Sequence, residues 1–446
     1  MIEDIIKERL KKKEGLEKLG RNVYPSKTKR THQIAEALES FVALAKQKKG
    51  ISIAGRVMGL RIQGGVGFAD VRDGSGAKIQ VVLKKDTLAD FNVLKNGLDI
   101  GDFLEISGPL FKTQRGEKSI EAKNARIIVK SLRPLPSVWH GLKDVEERFR
   151  KRYLDLILNA EVKEQLVGRS KITEYIRNFL TKEGFLEVET PILQPIPGGA
   201  NARPFVTHHN ALDVDFYLRV APELYLKRLL VGGFEKIFEI GRNFRNEGID
   251  RDHNPEFTAL ELYWAYQDYE GLMKFTEKLL KKFVPGKWKK ITFAEIFKKT
   301  AGRDWKTASP RELEEIYKKE VRPKIVEPTF VIDYPESIMA LAKLKEGDST
   351  LTESFQVIVG GVEIVKGFSE LNDPITQRVQ MERQEKEHRA GNPEASRLDE
   401  DFLEALEYGM PPSAGLGLGI DRLAALVAKS HSVKEIIAFP TLRPKE

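Results

Sequence analysis

Residues 235–266, EKIFEIGRNFRNEGIDRDHNPEFTALELYWAY, constrain the fold more than any other stretch of this 446-residue chain. Two runs alternate with period two on either side of a charged loop, so they read as paired strands, each with one apolar and one polar face. In the first run Phe238, Ile240 and Phe244 share a face, while Ile237, Glu239, Asn243 and Arg245 share the other. In the second run Leu260, Leu262 and Trp264 point one way, and Phe257, Glu261 and Tyr263 the other. If the polar faces coincide, they bring a guanidinium, a flat ring and a carboxylate onto one surface. Such a surface suits a nucleoside triphosphate, because a planar guanidinium clamps phosphate oxygens bidentately and a ring stacks on a base. An ordinary half-exposed hairpin with a solvated loop gives the same alternation, so this segment alone leaves both readings open.

A chain of this length can bury several cores, so two or three domains are expected. No run of 18 apolar residues exists, and no membrane span is expected. The N-terminal MIEDIIKERLKKKEGLEKLG is charged throughout and reads as an amphipathic helix rather than a secretory leader. The absence of cysteine excludes disulfides, thiolate zinc sites and a cysteine nucleophile, and it fits a reducing, cytoplasmic location. The net charge of +8 is unevenly spread: residues 1–140 hold 27 basic against 16 acidic residues, net +11, leaving 47 against 50, net −3. A polyanion-binding module on a nearly neutral body accounts for this, and so does a merely basic domain.

Residues 1–48 read as a helical segment with a break at Tyr24-Pro25. From Ile51 to Lys130 the pattern becomes five strand candidates, ISIAGRVMGLRI, GFADVRD, KIQVVLK, FLEISGPLFK and SIEAKNARIIVK, with a helix candidate from Thr87 to Lys95 after the third. That order is the one expected of an OB-fold barrel, whose strand face binds single-stranded nucleic acid. Phe68 and Gln80, with Arg56, Arg61 and Arg72 nearby, are placed to stack on and read bases, although Phe68 fits the barrel core equally well. The prolines of SLRPLP mark a boundary. The expected organisation is a barrel over 49–133, a linker over 134–144 and a second domain over 145–446. That domain opens with helices around Val145–Leu156 and Ala160–Lys182, then mixes strands and helices without regular βαβ units, which suggests an α+β domain on an antiparallel sheet. GLGLGIDR at 415–422 lacks the glycine spacing of a dinucleotide fingerprint. Its alternating glycines instead let a ligand or another backbone approach the strand closely.

Three segments together carry a resemblance. GFLEVETP, FRNEGIDRDHNPEFTALELYWAY and GLGLGIDRLAAL resemble, in that order, the three motifs of the class II aminoacyl-tRNA synthetases of the aspartate-like subgroup. IPGGANARPFVTHHNALDVDFYLRVAPELYLKRLLVGGFEKIFEIGRNFRNE, SELNDP and LEYGMPPSAGLGLGIDR are similar to its lysine-specific branch. The resemblance implies an α+β fold: a five-stranded OB-fold barrel followed by a catalytic domain whose antiparallel sheet is flanked by helices. It implies that L-lysine is activated by ATP, with Mg2+, and passed to tRNA(Lys), by a homodimer that packs around Pro191. Arg245 and Arg422 are then the catalytic cations. ATP falls to Arg245, Glu247, His253, Asn254, Phe257, Glu363 and Arg422. Lysine falls to Gly199, Glu223, Arg245, Glu261, Tyr263, Phe368 and Glu370. Phe68 and Gln80, with Glu117 as a less secure third, match the anticodon-reading positions. Glu363 matches one metal-binding glutamate; the other falls at Gln356, which offers a carbonyl oxygen but no negative charge to a metal ion. Lys366 stands where relatives often have asparagine. The adjacent His208 and His209 face opposite ways if they lie on a strand, which argues against a shared metal.

Overall fold

The computed structural model describes residues 2–47, 50–136, 142 and 144–445. The expected boundary at 48–49, and residues 137–141 and 143 of the expected linker, lie outside these. The chain divides into two compact units, Met1–Val145 and Glu146–Glu446.

The first unit is a sheet rolled around Ile53, Val57, Ala69, Val71, Val81, Leu83, Leu104 and Ile106, none of them measurably exposed. Alternation along Ile51–Gln63, Val66–Arg72 and Lys78–Lys84 sends these residues inward. The fourth and fifth candidates are each broken in two, giving Phe103–Gly108, Leu110–Lys112, Lys118–Glu121 and Asn124–Val129 in one seven-segment sheet. Pro109 cannot donate to the ladder. Gly108 also lies so close to Glu121 that an added Cβ would stand 1.8 Å from its carbonyl oxygen. The helix after the third strand runs Phe91–Gly97, later than expected, because Lys85–Thr87 form a turn first. The N-terminal helices do not stand apart from the barrel. Leu16, Val23, Ile34 and Phe41 join its core, and the buried Arg9 donates to the carbonyls of Ile100 and Ser131, both at 2.9 Å.

The second unit is built on an eight-stranded sheet in the order Lys289–Thr292, Thr329–Ile332, Ser354–Val359, Val362–Ser369, Ser413–Gly419, Glu256–Ala265, Lys236–Phe244 and Leu186–Glu187. The edge pairs are parallel and all five inner pairs antiparallel. Helices Ala160–Lys182, Tyr269–Leu280 and Ile420–Val427 cover one face, burying Phe238, Leu260, Leu262, Leu416 and Leu418 against Ile176, Leu272 and Leu423. The first of these helices has the expected limits. It ends where Gly184 takes φ +85° and Phe185 N–H bonds back to Leu180, which satisfies the last carbonyls. The expected strand FLEVETP pairs only at Leu186–Glu187.

Candidate active site

The opposite face of this sheet carries the polar residues of both alternating runs. Glu239 stands opposite Glu261, Asn243 opposite Phe257, and Glu261 opposite Gly417. The two polar faces of the hairpin therefore coincide, with the glycine strand beside them. On that strand Gly415 is pressed from above: an added Cβ would lie 2.4 Å from Glu370 Oε1 and 2.5 Å from the Tyr263 ring. At Gly417, among the described residues other than its chain neighbours, such a Cβ would come within 4 Å of Glu261 Cγ alone, at 3.9 Å. One glycine thus serves packing, and the other leaves the floor bare for a ligand.

One end of the face is a buried anionic pocket. Helix Glu223–Val231 sets Glu223 and Lys227 one turn apart, on the same side. Lys227 Nζ lies 2.7 Å from Glu223 Oε1 and 2.5 Å from Glu370 Oε2, with no solvent exposure. Burial pulls Lys227 down, but the two carboxylates outweigh it and leave it above the ordinary lysine value. Phe368 forms a wall, its ring 5.6 Å from Lys227 Nζ. Gly199, at φ +86°, closes the entrance side: a Cβ there would meet Glu223 Cβ at 2.8 Å. The Tyr263 hydroxyl donates to Glu261 Oε2 at 3.2 Å. Burial, reinforced by the charge of Glu223, pushes Glu261 up to about 8, with Tyr263 and Arg245 opposing.

The other end is cationic. Arg245 follows its strand directly and is anchored by its N–H on the Pro255 carbonyl at 2.8 Å. Its guanidinium sits 5.1 Å over the Phe257 ring. Burial, partly offset by Glu247, holds it below the usual guanidinium value. Arg422 opens helix Ile420–Val427 and donates to the Glu363 carbonyl at 3.2 Å and to His253 Nε2 at 3.0 Å. Because a guanidinium only donates, His253 Nε2 must accept, so its proton is on Nδ1 and is given to Asp250 at 2.9 Å. Asn254 is buried, donating to the Glu256 carbonyl at 2.6 Å and accepting from Thr441 N–H. Glu247 is exposed on the loop, close enough to Arg245 to act on its charge, with no side-chain hydrogen bond or ion pair among the described residues. Asn243 Oδ1, Arg245 Nε and Glu370 Oε1 are buried with no hydrogen-bond partner among the described residues, and Glu370 Oε2 has only the Lys227 ammonium. Unpaired buried polar atoms are costly; others occur on Arg228, Arg322, Gln377, Gln380, His388 and Ser430, so those on this face point to a ligand only together with the bare floor at Gly417.

Glu363 reaches this face through a bulge. Val357 pairs with Val365 while Ile358 pairs with Glu363, so Ile364 and Val365 both turn into the core. Its carboxylate is 3.6 Å from Arg422 Nη1. Gln356, the doubtful metal ligand, accepts instead from the Tyr334 hydroxyl at 2.9 Å, and Tyr317 and Tyr334 hydroxyls lie 2.5 Å apart behind it. Among the described residues no three His, Cys, Asp or Glu side chains cluster as metal ligands.

Sequence reasoning passed over Lys227, although its spacing from Glu223 was a readable signal. It also passed over Arg219, which lies 2.5 Å from Glu239 and fixes the hairpin from below. Pro191 is exposed, and Thr190 beside it donates to Glu239 at 2.7 Å. His208 pairs with Asp215 at 2.9 Å, and His209 accepts from Leu212 N–H, so neither faces the other. On the barrel, Phe68 is 39 % exposed on the outer face and is not core. Gln80 shares that face through the Asp70↔Gln80 register and accepts from Ser119 at 3.1 Å. Glu117 lies in the exposed turn before Lys118–Glu121. Arg56 is committed to the Gly101 carbonyl and the Phe103 ring, which removes it from the base-reading group.

The family model described as tRNA synthetases class II (D, K and N) matches residues 144–443, and that of the OB-fold nucleic acid binding domain matches residues 51–128. Fold and site therefore define a class II tRNA synthetase. Aligned over all of its length, the chain is 45% identical to the lysine–tRNA ligases of Pelotomaculum thermopropionicum and Carboxydothermus hydrogenoformans, covering 96% and 99% of those proteins. It is 43% identical to that of Moorella thermoacetica, with 99% of this chain and 98% of the relative covered. The chain belongs to the lysine–tRNA ligase family.

Proposed function

We propose that this protein is a lysine–tRNA ligase, which activates L-lysine with ATP, releases pyrophosphate and transfers the lysyl group to the 3′ end of tRNA(Lys). One observation carries the choice of lysine. Glu223 and Glu370 face a single resident ammonium, Lys227; burial raises Glu370 to about 8 despite it, and Glu370 Oε1 has no hydrogen-bond partner, so ionising both carboxylates leaves the pocket one positive charge short. A buried carboxylate without a partner is costly, and the ε-ammonium of lysine relieves that cost. Aspartate or asparagine brings no side-chain cation.

In this reading Glu370, Glu223 and Tyr263 take the ε-ammonium against Phe368, and Glu261 with Gly199 takes the α-amino side. Arg245 bridges the lysine carboxylate and the α-phosphate. Phe257 and Arg422 hold the adenine, Glu247 its outer edge, and His253 with Asn254 the distal phosphates. A carboxylate oxygen bonds to the α-phosphorus as the bond to pyrophosphate breaks, so catalysis is positioning plus neutralisation of charge on phosphorus. Mg2+, when bound with ATP, screens the phosphates; Glu363 is the hard oxygen donor that would hold it. Gln356 does not fit that role, being neutral and already bonded to Tyr334.

Residues 49–133 form the anticodon-binding domain, with Phe68 stacking and Gln80 and Glu117 hydrogen-bonding; residues 145–446 form the catalytic domain, joined through 134–144. Exposed Leu186, Ile192 and Leu193 around Pro191 support a homodimer contact there. We place the protein in the cytoplasm, where its tRNA is; among the described residues no helix is long and apolar enough to cross a membrane. ATP–pyrophosphate exchange with each amino acid tests the reading. Exchange driven by lysine is expected; exchange driven by aspartate or asparagine and not by lysine refutes it.

A further inference from the structure

Strand Val362–Ser369 carries a lysine that none of these roles uses. Lys366 stands opposite Gln356 on one side and Gly417 on the other, and Gly417 stands opposite Glu261. Residues opposed across neighbouring strands point to the same face, so Gln356, Lys366, Gly417 and Glu261 form one row across the floor of the site. Beyond Lys366 that floor is bare backbone, open above Gly417. Lys366 is half-buried, and no ion pair or hydrogen bond holds its ammonium among the described residues. Of the charged side chains beside it, Glu261 is engaged by Tyr263 and Arg422 by Glu363 and His253, while Arg322, whose Nε is buried without a hydrogen-bond partner, acts on Tyr317 and Tyr334. Gln356 offers no counter-charge, and its oxygen is turned to Tyr334.

The groups that react above this row, a carboxylate and an α-phosphate, are both anions and must be brought into contact. A metal ion held at residue 356 is one source of compensating charge, and the neutral, hydroxyl-bonded Gln356 cannot supply that ion with an anionic ligand. We propose that Lys366 is a third substrate-contacting cation, reaching over Gly417 to the attacking carboxylate and the α-phosphate and supplying from the chain the charge that a metal at residue 356 would bring. This rests on the ligase reading of the site. In the activation step the carboxylate oxygen bonds to phosphorus, and the pyrophosphate leaves with the electron pair of the broken bond. The match of Gln356 with Lys366 across the strands is then one arrangement, in which a protein cation replaces a metal ligand.

The test compares the unchanged chain with Lys366→Met and Lys366→Arg in three measurements: lysine-dependent exchange, melting temperature, and calorimetric binding of a non-hydrolysable ATP analogue at saturating lysine. Lys366→Met is expected to lower kcat by about 100-fold, as for loss of one charged group aimed at the reacting centre. It is expected to weaken analogue binding and to leave the melting temperature unchanged. Added Mg2+ is expected to recover part of the loss in Lys366→Met while leaving the saturated parent unaffected. Lys366→Arg, which keeps the charge, is expected to retain about a tenth or more of the parent rate. Should Lys366→Met melt early, the Arg variant decides by the same criterion. An active parent whose Met variant exchanges within about twofold of it, or an Arg variant as slow as Met, overturns the inference. A parent with no lysine-dependent exchange overturns the ligase reading, and this inference with it.

Discussion

The two ends of the active-site face are built on opposite plans. At the amine end, charges are buried and largely answered from within: Lys227 sits between Glu223 and Glu370, and Glu261 is bonded by Tyr263. At the phosphate end, Arg422 and His253 are partly exposed, Arg245 Nε is unpartnered, and Lys366 is without a partner among the described residues. The difference follows from the ligands. An ammonium on a short alkyl stem must be told from neutral analogues, and a closed pocket one charge short does this, because a wrong ligand leaves a buried carboxylate unpaired. A triphosphate brings charge in excess and arrives with solvent and metal, so the protein needs cations that stay available.

The contrast can be broken from either end. The largest effect is expected from Arg245→Ala, which removes the clamp between the two reacting groups: exchange falls by at least ~100-fold with little change in lysine affinity. Near-normal exchange would remove Arg245 from the chemistry. At the amine end Lys227→Met strands Glu223 and Glu370 together. We expect a destabilisation of roughly 3 kcal/mol, the cost of leaving half of a buried pair alone, and a larger thermal shift on adding lysine than in the parent. A variant as stable as the parent would mean that Lys227 is not balancing the two carboxylates.

A smaller and sharper effect is expected from pH. Glu261 is raised to about 8 by burial and by Glu223, so below that pH it is mostly protonated and offers an ammonium no charge. The KM for lysine is therefore expected to climb as pH falls below about 8, by up to tenfold per unit, and Glu261→Gln reduces the dependence without abolishing it, because burial also raises Glu370 to about 8. A KM independent of pH between 6.5 and 8.5 contradicts the assignment of Glu261. The smallest effect is expected from Phe68→Ala on the barrel. Loss of one stacked base costs roughly 1–3 kcal/mol in tRNA charging, while exchange and melting temperature stay put because the ring is exposed. Equal loss of both activities would show that the substitution acts through folding.

The alternation of residues 236–265 already contained the hairpin and its two faces, because side-chain period in a strand is fixed by the pleat; it left open whether the polar faces coincide, which the register settles by setting Glu239 opposite Glu261. Helix Ala160–Lys182 was readable to its last residue from its apolar spacing and Gly184. What the pattern did not contain were contacts set by register between distant strands. The row Gln356, Lys366, Gly417, Glu261 joins segments far apart in sequence, and the bulge that turns Glu363 onto the ligand face has no local signature. The edge strand Lys289–Thr292, inside a helix-rich stretch, is another such case, since it exists only by pairing with Thr329–Ile332. Phe68 was undecidable for a related reason: periodicity says that alternate residues part ways, but not which side of the barrel is wet.

The account depends on the amine end having room for a second cation beside Lys227. A crystal structure of the protein with L-lysine and a non-hydrolysable ATP analogue tests this most directly. The account predicts the ε-ammonium of the ligand within hydrogen-bonding distance of Glu370 Oε1 while Lys227 keeps Glu223. A ligand whose ammonium lies outside the pocket, with Glu370 Oε1 still without a partner, would contradict it.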